Sequence, residues 1–239
     1  MRGSVRRGFV PFTAPLEGIV RWMYLDVKGL VTTAIGILID PIQTAMPLPW
    51  VRLDGSPAGR DEIAAEWMRV KGDASLARLG HRAAEHITNL RLTDEGVDLV
   101  VSGKLAQFDR QLAARFPEWE EWPADAQLAT LSMSWACGPA FRFPQLEAAL
   151  RARDFDGAAG TCHINEAGNP GIIPRNRANV ALYHNAAKVL GFKLDPDALV
   201  WPSVLGDAAS SAPPPGEAET GSGGIIHPLP FADDPDDID

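Results

Sequence analysis

The chain has 239 residues, 46% of them apolar and 22% charged, and its 31 acids and 22 bases give a formal net charge of −9. The segment from Asp207 to Asp239 holds eight of the acids and no Lys or Arg, so residues 1–206 carry 23 acids against 22 bases. This composition excludes disorder of the whole chain, and the near-neutral body lacks the basic face that nucleic-acid binding needs.

The first predicted element is a short amphipathic helix that starts at Thr13 and Pro15 and ends before Gly29. Its apolar residues follow helical spacing, at Leu16, Ile19, Val20 and Met23. The segment 30–39 is rich in Thr, Ile and Val and is the one place that indicates strand or hairpin, so we expect little sheet. A Pro-rich loop is predicted to follow, up to Gly59.

Helices are predicted for most of the remaining body. Helical spacing starts at Asp61 and resumes from Leu76 to Leu90, and Thr93 caps the longest candidate, a helix of the length that commonly joins two lobes. The later helices are predicted over residues 123–137, 144–152, 156–162 and 174–190. From Asp207 onward the Ala, Ser, Pro, Gly and acidic composition predicts a disordered tail.

Several classes of site and location are not expected. No apolar run reaches the roughly 18 residues of a transmembrane segment, and the prolines after the basic N-terminus argue against a signal peptide. Cys137 and Cys162 match no disulfide or metal motif, and His81 and His86 lack the zinc-binding HExxH spacing, so we expect free thiols, no metal and no cofactor.

One pattern of spaced residues contains two carboxylates and a threonine hydroxyl that could be catalytic: Glu17-Gly18-x5-Tyr24-x-Asp26-x2-Gly29-x2-Thr32-x3-Gly36-x-Leu38. Two carboxylates on different local structures can be given different proton affinities, as acid/base hydrolysis of a glycosidic bond requires. The whole string closely resembles the N-terminal signature of the phage-type lysozymes, the glycoside hydrolase family 24 muramidases.

The resemblance implies a catalytic set of Glu17, Asp26 and Thr32 acting on peptidoglycan, at the β-1,4 bond between N-acetylmuramic acid and N-acetylglucosamine. Glu17 would be the general acid, while Asp26 would position or deprotonate a water that the Thr32 hydroxyl holds. Leu38 is the apolar substrate-binding position of the same motif. The family arrangement inverts the anomeric centre.

The resemblance extends to about residues 9–191. The segment 127–138 is similar to the family's buried central helix, and Trp135 on it is either a sugar-stacking residue or a core residue. The segment 169–182 resembles a late motif whose arginine reaches toward the catalytic glutamate; we expect this substrate-binding residue to be Arg177 in preference to Arg175. Residues 40–93 are hard to match.

The sequence departs from the family pattern in one motif. Where the family has Gly-Ile-Gly-His-Leu, this chain has Ala34-Ile35-Gly36-Ile37-Leu38, so a glycine and a histidine are replaced. That histidine is not one of the three catalytic residues and normally ties the small lobe together. Its loss indicates altered packing.

These observations predict a predominantly α, α+β, lysozyme-like two-lobed fold, with a small N-terminal β-hairpin region and a helical C-terminal lobe. The catalytic domain is expected over residues 1–206, with a small lobe at about 12–60 and a helical lobe at about 61–206. We expect a monomeric cell-wall hydrolase made in a bacterial cytoplasm, with peptidoglycan as partner and a holin, a virion or a secretion system for delivery. The alternatives are a non-catalytic peptidoglycan-binding or virion module and a delivered antibacterial toxin.

Overall fold

The computed structural model describes residues 1–206. Helices and strands occur in the order α1 Gly3–Glu17, β1 Val20–Leu25, β2 Val31–Ala34, β3 Ile37–Leu38, α2 Ile42–Ala45, β4 Trp50–Arg52, α3 Arg60–Gly72, α4 Leu76–Leu79, α5 His81–Glu85, β5 Leu90–Leu92, α6 Asp94–Arg115, α7 Ala124–Cys137, α8 Pro144–Arg151, α9 Phe155–Thr161 and α10 Ile172–Gly191. Helix predominates over strand, so the predicted α+β, predominantly α class is confirmed.

The described residues form two compact units. Val10–Gln107 forms one, called here the sheet unit; Met1–Phe9 and residues 108–206 form the other, called the helical unit. Helices α1 and α6 contribute residues to both. The sequence placed the limit between small and helical lobes near residue 60, whereas the contacts divide the chain within α6.

The sheet unit contains every strand of the described residues. β1, β2 and β3 form an antiparallel sheet in that order, and β4 pairs antiparallel with β5. Helices α3, α4 and α5 pack against β1. The first strand therefore lies at the centre of this unit, covered by helices.

The helical unit is organised around α7, which is buried from Ala124 to Ala136 and packs against α10. Helix α10 also packs against α9, and α9 packs against α8. Its apolar core includes a group of aromatic rings with neighbouring centroids 5.2–5.7 Å apart: Phe116, Trp119, Trp122 and Phe155. A helix buried on all sides has no amphipathic stripe, and its sequence is accordingly apolar or small at almost every position. Within residues 1–206, no helix combines the length and apolarity needed to cross a membrane.

The predicted first helix was wrong in its bounds. The helix begins at Gly3 and ends at Glu17, because Gly18 adopts a left-handed φ of 74° and donates its N–H to the Ala14 carbonyl. Residues 20–25 then form a strand of β-branched, aromatic and long apolar side chains, although their spacing also fits a helix. Glu17 therefore lies at the end of the first helix, not near its start.

The other elements are a mixture of confirmed predictions and corrections. The strand region at 30–39 is confirmed as β2 and β3, and α3, α6, α7, α8, α9 and α10 occur within a few residues of their predicted bounds. The predicted loop before Gly59 contains α2 and β4, and the predicted helical run 76–90 is broken at Gly80, where φ is 79°. The acidic tail predicted at 207–239 lies outside the described residues.

Candidate active site

Glu17 is the last residue of α1, immediately before the glycine that turns the chain into β1. Its side chain is half-buried, and its Oε2 atom is shielded from solvent. A carboxyl group in such a position is partly removed from water, which is the setting that favours a general acid.

Asp26 opens the loop between β1 and β2. Its Oδ1 accepts hydrogen bonds from the backbone N–H groups of Lys28 and Leu30, both at 2.9 Å, and its carbonyl accepts the Gly29 N–H at 2.9 Å. Gly29 has a φ of 75°, which a glycine adopts without strain. The loop backbone therefore fixes the orientation of a carboxylate that is half-exposed.

Three residues of the motif lie in one row across the first sheet. Tyr24 on β1 is the cross-strand partner of Thr32 on β2, which is in turn the partner of Leu38 on β3. Directly opposed residues share a face of a sheet, so the three side chains lie on the same face. Thr32 is buried, its hydroxyl donates to the Leu30 carbonyl at 3.2 Å, and Leu38 is 42% exposed.

The buried phenol of Tyr24 is influenced by the charges of both carboxylates. Burial raises its pKa, and the negative charges of Asp26 and Glu17 raise it further. Both carboxylates thus act on one hydroxyl group, and Thr32 is the register partner of that same tyrosine. The sheet unit alone therefore groups the three residues that the sequence predicted as catalytic.

Two residues at this site were given little weight by the sequence. Tyr24 belongs to the motif but is not one of the three residues that the resemblance implies to be catalytic. His81 packs its ring edge against Tyr24 with centroids 6.0 Å apart, and its ring also stacks with Trp22 at 6.0 Å. No sequence pattern connects His81 to the motif, since it comes from the start of α5.

The two departures from the family pattern lie in the β2–β3 turn. Ala34 has a φ of 53°, in the left-handed region where a glycine is favoured. Ile37, at the position of the family histidine, is buried and adds an apolar side chain to the core. Alanine at position 34 therefore strains the turn, whereas isoleucine at position 37 keeps the core beside the turn packed.

The predicted binding residues of the helical unit lie in different environments. Trp135 is 4% exposed and packs against Phe9 and Phe108, with centroids 4.9 and 5.8 Å away, which favours the core role over sugar stacking. Arg177 is exposed and borders a surface depression of about 700 Å³. The buried arginine of this segment is Arg175.

Arg175 occupies the buried face of α10, and its guanidinium donates to the carbonyl and hydroxyl of Ser132, both at 3.0 Å. It lies three residues after buried Ile172 and four before buried Asn179, whereas Arg177 does not share this spacing. The helical period of the buried residues could therefore have distinguished the two arginines.

The thiols and histidines of residues 1–206 form no metal site. Cys137 and Cys162 are free, and burial raises the pKa of each to about 11, so neither is a thiolate at neutral pH. No protein-family model, curated protein or solved structure matches the chain.

Proposed function

We propose that the chain is a peptidoglycan hydrolase of the muramidase type, with its acid/base chemistry in the sheet unit. The observation that carries the proposal is the placement of Glu17 at the end of α1, of Asp26 in the β1–β2 loop, where the backbone holds it, and of Thr32 opposite Tyr24, whose pKa both carboxylates raise. Two carboxylates on different local structures, one at a helix end and one in a loop, together with a hydroxyl, meet the requirements of glycoside hydrolysis by general acid and base.

Glu17 is the proposed general acid. Its half-buried side chain and shielded Oε2 favour a carboxyl that can hold a proton and give it to the leaving glycosidic oxygen. The glycine that ends α1 fixes the backbone directly after it. The acid is thus attached to a defined helix end.

Asp26 and Thr32 are the proposed water-handling pair. Asp26 is held through Oδ1, so its carboxylate can direct a water from its other oxygen and offset the charge of an oxocarbenium-like transition state. The Thr32 hydroxyl donates to the Leu30 carbonyl, which leaves its oxygen as an acceptor for that water. Leu38, exposed on the same face, supplies apolar contact for a sugar ring.

The test is product analysis of purified peptidoglycan digested with the wild-type protein and with Glu17→Gln. The wild type should release N-acetylmuramic acid reducing ends with an inverted anomeric configuration. Glu17→Gln should lower the rate by about a hundredfold or more, since a general acid contributes roughly 10²–10⁴-fold. Glu95→Gln, at an exposed glutamate of α6 in the same unit, is the matched control and should be unchanged.

Two results would contradict the proposal. The first is a Glu17→Gln protein that releases reducing ends at the wild-type rate. The second is a folded wild-type protein that binds peptidoglycan without releasing them, which would favour the non-catalytic module.

A further inference from the structure

The ammonium group of Lys71 joins the end of α3 to the loop that carries Asp26. Its Nζ donates to the Gly29 carbonyl at 2.9 Å and to Asp40 Oδ2 at 2.6 Å. The same Asp40 oxygen accepts the Val31 N–H at 3.2 Å, at the start of β2. We call this arrangement the Lys71 bridge.

The bridge acts on the peptide group that holds Asp26. The Gly29 carbonyl and the Leu30 N–H belong to one peptide unit, and the Leu30 N–H donates to Asp26 Oδ1 at 2.9 Å. Because a trans peptide is planar, with C=O and N–H pointing in opposite directions, fixing the carbonyl also fixes the direction of the N–H. A cation on the carbonyl in addition polarises the peptide and strengthens the bond that its N–H donates.

The carboxylate of Asp40 is the counter-ion of Lys71. Asp40 lies two residues after the end of β3 and has a side chain only 14% exposed, so the ion pair is partly shielded from water. The bridge therefore holds the loop 26–30 from a helix and from a strand end at once. An exposed ion pair elsewhere on α3, between Arg52 and Glu62, joins that helix to β4, and Arg52 also donates to Ser56 and Pro57.

We propose that Lys71 is a positioning residue for Asp26, acting through the Gly29–Leu30 peptide, with Asp40 as its counter-ion. The role in catalysis rests on the proposed function; the restraint of the loop does not. Lys71 supplies no proton and contacts no substrate. Its function is to keep the carboxylate oriented toward the water that Asp26 handles.

The experiment compares Lys71→Met with Arg52→Met, which removes the exposed ion pair between Arg52 and Glu62 of α3. Both side chains are more than a third exposed, at 37% and 42%, so both variants are expected to fold. One readout is amide hydrogen exchange at Leu30, and the other is kcat and KM for release of reducing ends from peptidoglycan.

Lys71→Met should speed exchange at the Leu30 amide by about tenfold, because the peptide loses its external support. It should lower kcat by about tenfold with KM unchanged, since substrate contacts are intact while the carboxylate is misdirected. Arg52→Met should leave both readouts at their wild-type values.

Each other outcome decides the proposal. Unchanged exchange at Leu30 in Lys71→Met overturns the bridge, and faster exchange with unchanged kcat overturns its role in positioning Asp26. An equal effect of Arg52→Met would show a general loosening of the unit. A wild-type protein without activity would defeat the proposed function, and the exchange measurement would then decide the restraint of the loop by itself.

Discussion

Two aspartates, one in each unit, accept backbone N–H groups in very different surroundings. Asp125 in the helical unit is fully buried and uses both oxygens, accepting from the Val200 and Trp201 N–H groups and from the Asn185 amide at 2.8–3.1 Å. Asp26 in the sheet unit is half-exposed, and within residues 1–206 its carboxylate hydrogen bonds all fall on Oδ1. A buried aspartate whose two carboxylate oxygens both accept hydrogen bonds has a structural role. An aspartate held through one oxygen can use the other to bind a water or a substrate.

The largest expected effect on stability is that of Asp125→Ala. The change removes the acceptor of two backbone donors and one amide donor, and each buried donor left without a partner costs about 1–3 kcal/mol. We expect the free energy of unfolding, measured in urea, to fall by about 3 kcal/mol or more. Asp156→Ala, which removes only an exposed pair with His184, should cost under about 1 kcal/mol. Equal losses in the two variants would refute a structural role for Asp125.

The opposite pattern is expected for Asp26→Asn. The asparagine oxygen can still accept from Lys28 and Leu30, so the free energy of unfolding should change little, while hydrolysis should slow about a hundredfold. The control is Asp73→Asn, because Asp73 Oδ1 also accepts a backbone N–H two residues later, in an exposed turn of the same unit. Reducing-end release and urea unfolding measure both quantities. An Asp26→Asn protein as active as the control would remove the distinction between the two aspartates.

The two units also differ in how far the sequence predicted them. Helices α7 to α10 of the helical unit appear close to their predicted bounds, because apolar spacing, Pro starts and Gly ends act within a few residues of each other. In the sheet unit, β4 and β5 have three residues each and pair Trp50 with Leu92. Such a pairing depends on contacts distant in sequence, so a local pattern could not indicate it.

The candidate site shows the same division. The spacing of Glu17, Asp26 and Thr32 was visible in the sequence, but the helix end that carries Glu17 was not, because the apolar positions 16–23 fit a helix as well as a strand. Lys71 could not be found at all, since it reaches Gly29 across 42 residues. The sequence thus predicts candidate carboxyl and hydroxyl groups, but not the helix end and the lysine that hold them.

A smaller effect is expected in the β2–β3 turn of the sheet unit. Ala34→Gly should raise the free energy of unfolding by about 0.5–1 kcal/mol, because a φ of 53° strains alanine, while glycine has a more flexible unfolded chain that offsets part of the gain. Ala83→Gly, within helix α5, should instead lower it by about 1 kcal/mol. Urea unfolding of both variants distinguishes relief of turn strain from a general effect of glycine. A destabilised Ala34→Gly protein would show that the strain is compensated elsewhere in the hairpin.

The smallest expected effect is a pH slope, and it tests whether the sheet unit also has a structural carboxylate of the Asp125 kind. Glu66 on α3 is buried and accepts the Asn89 and Leu90 N–H groups at 2.6 and 3.0 Å, and burial raises its pKa against the effect of those bonds. Because the pKa of Glu66 is higher in the folded than in the unfolded state, the folded protein binds this proton more tightly. The contribution of Glu66 to stability is therefore full below its ordinary pKa of 4.5, and it declines as pH rises through the raised pKa. The difference in unfolding free energy between wild type and Glu66→Gln should therefore shrink from about pH 4.5 toward neutral pH, whereas the difference for Glu95→Gln should not follow this trend. A difference for Glu66→Gln that stays constant with pH would mean that the two backbone donors balance the effect of burial on the pKa of Glu66. A difference that grows with pH would mean that the donors outweigh burial.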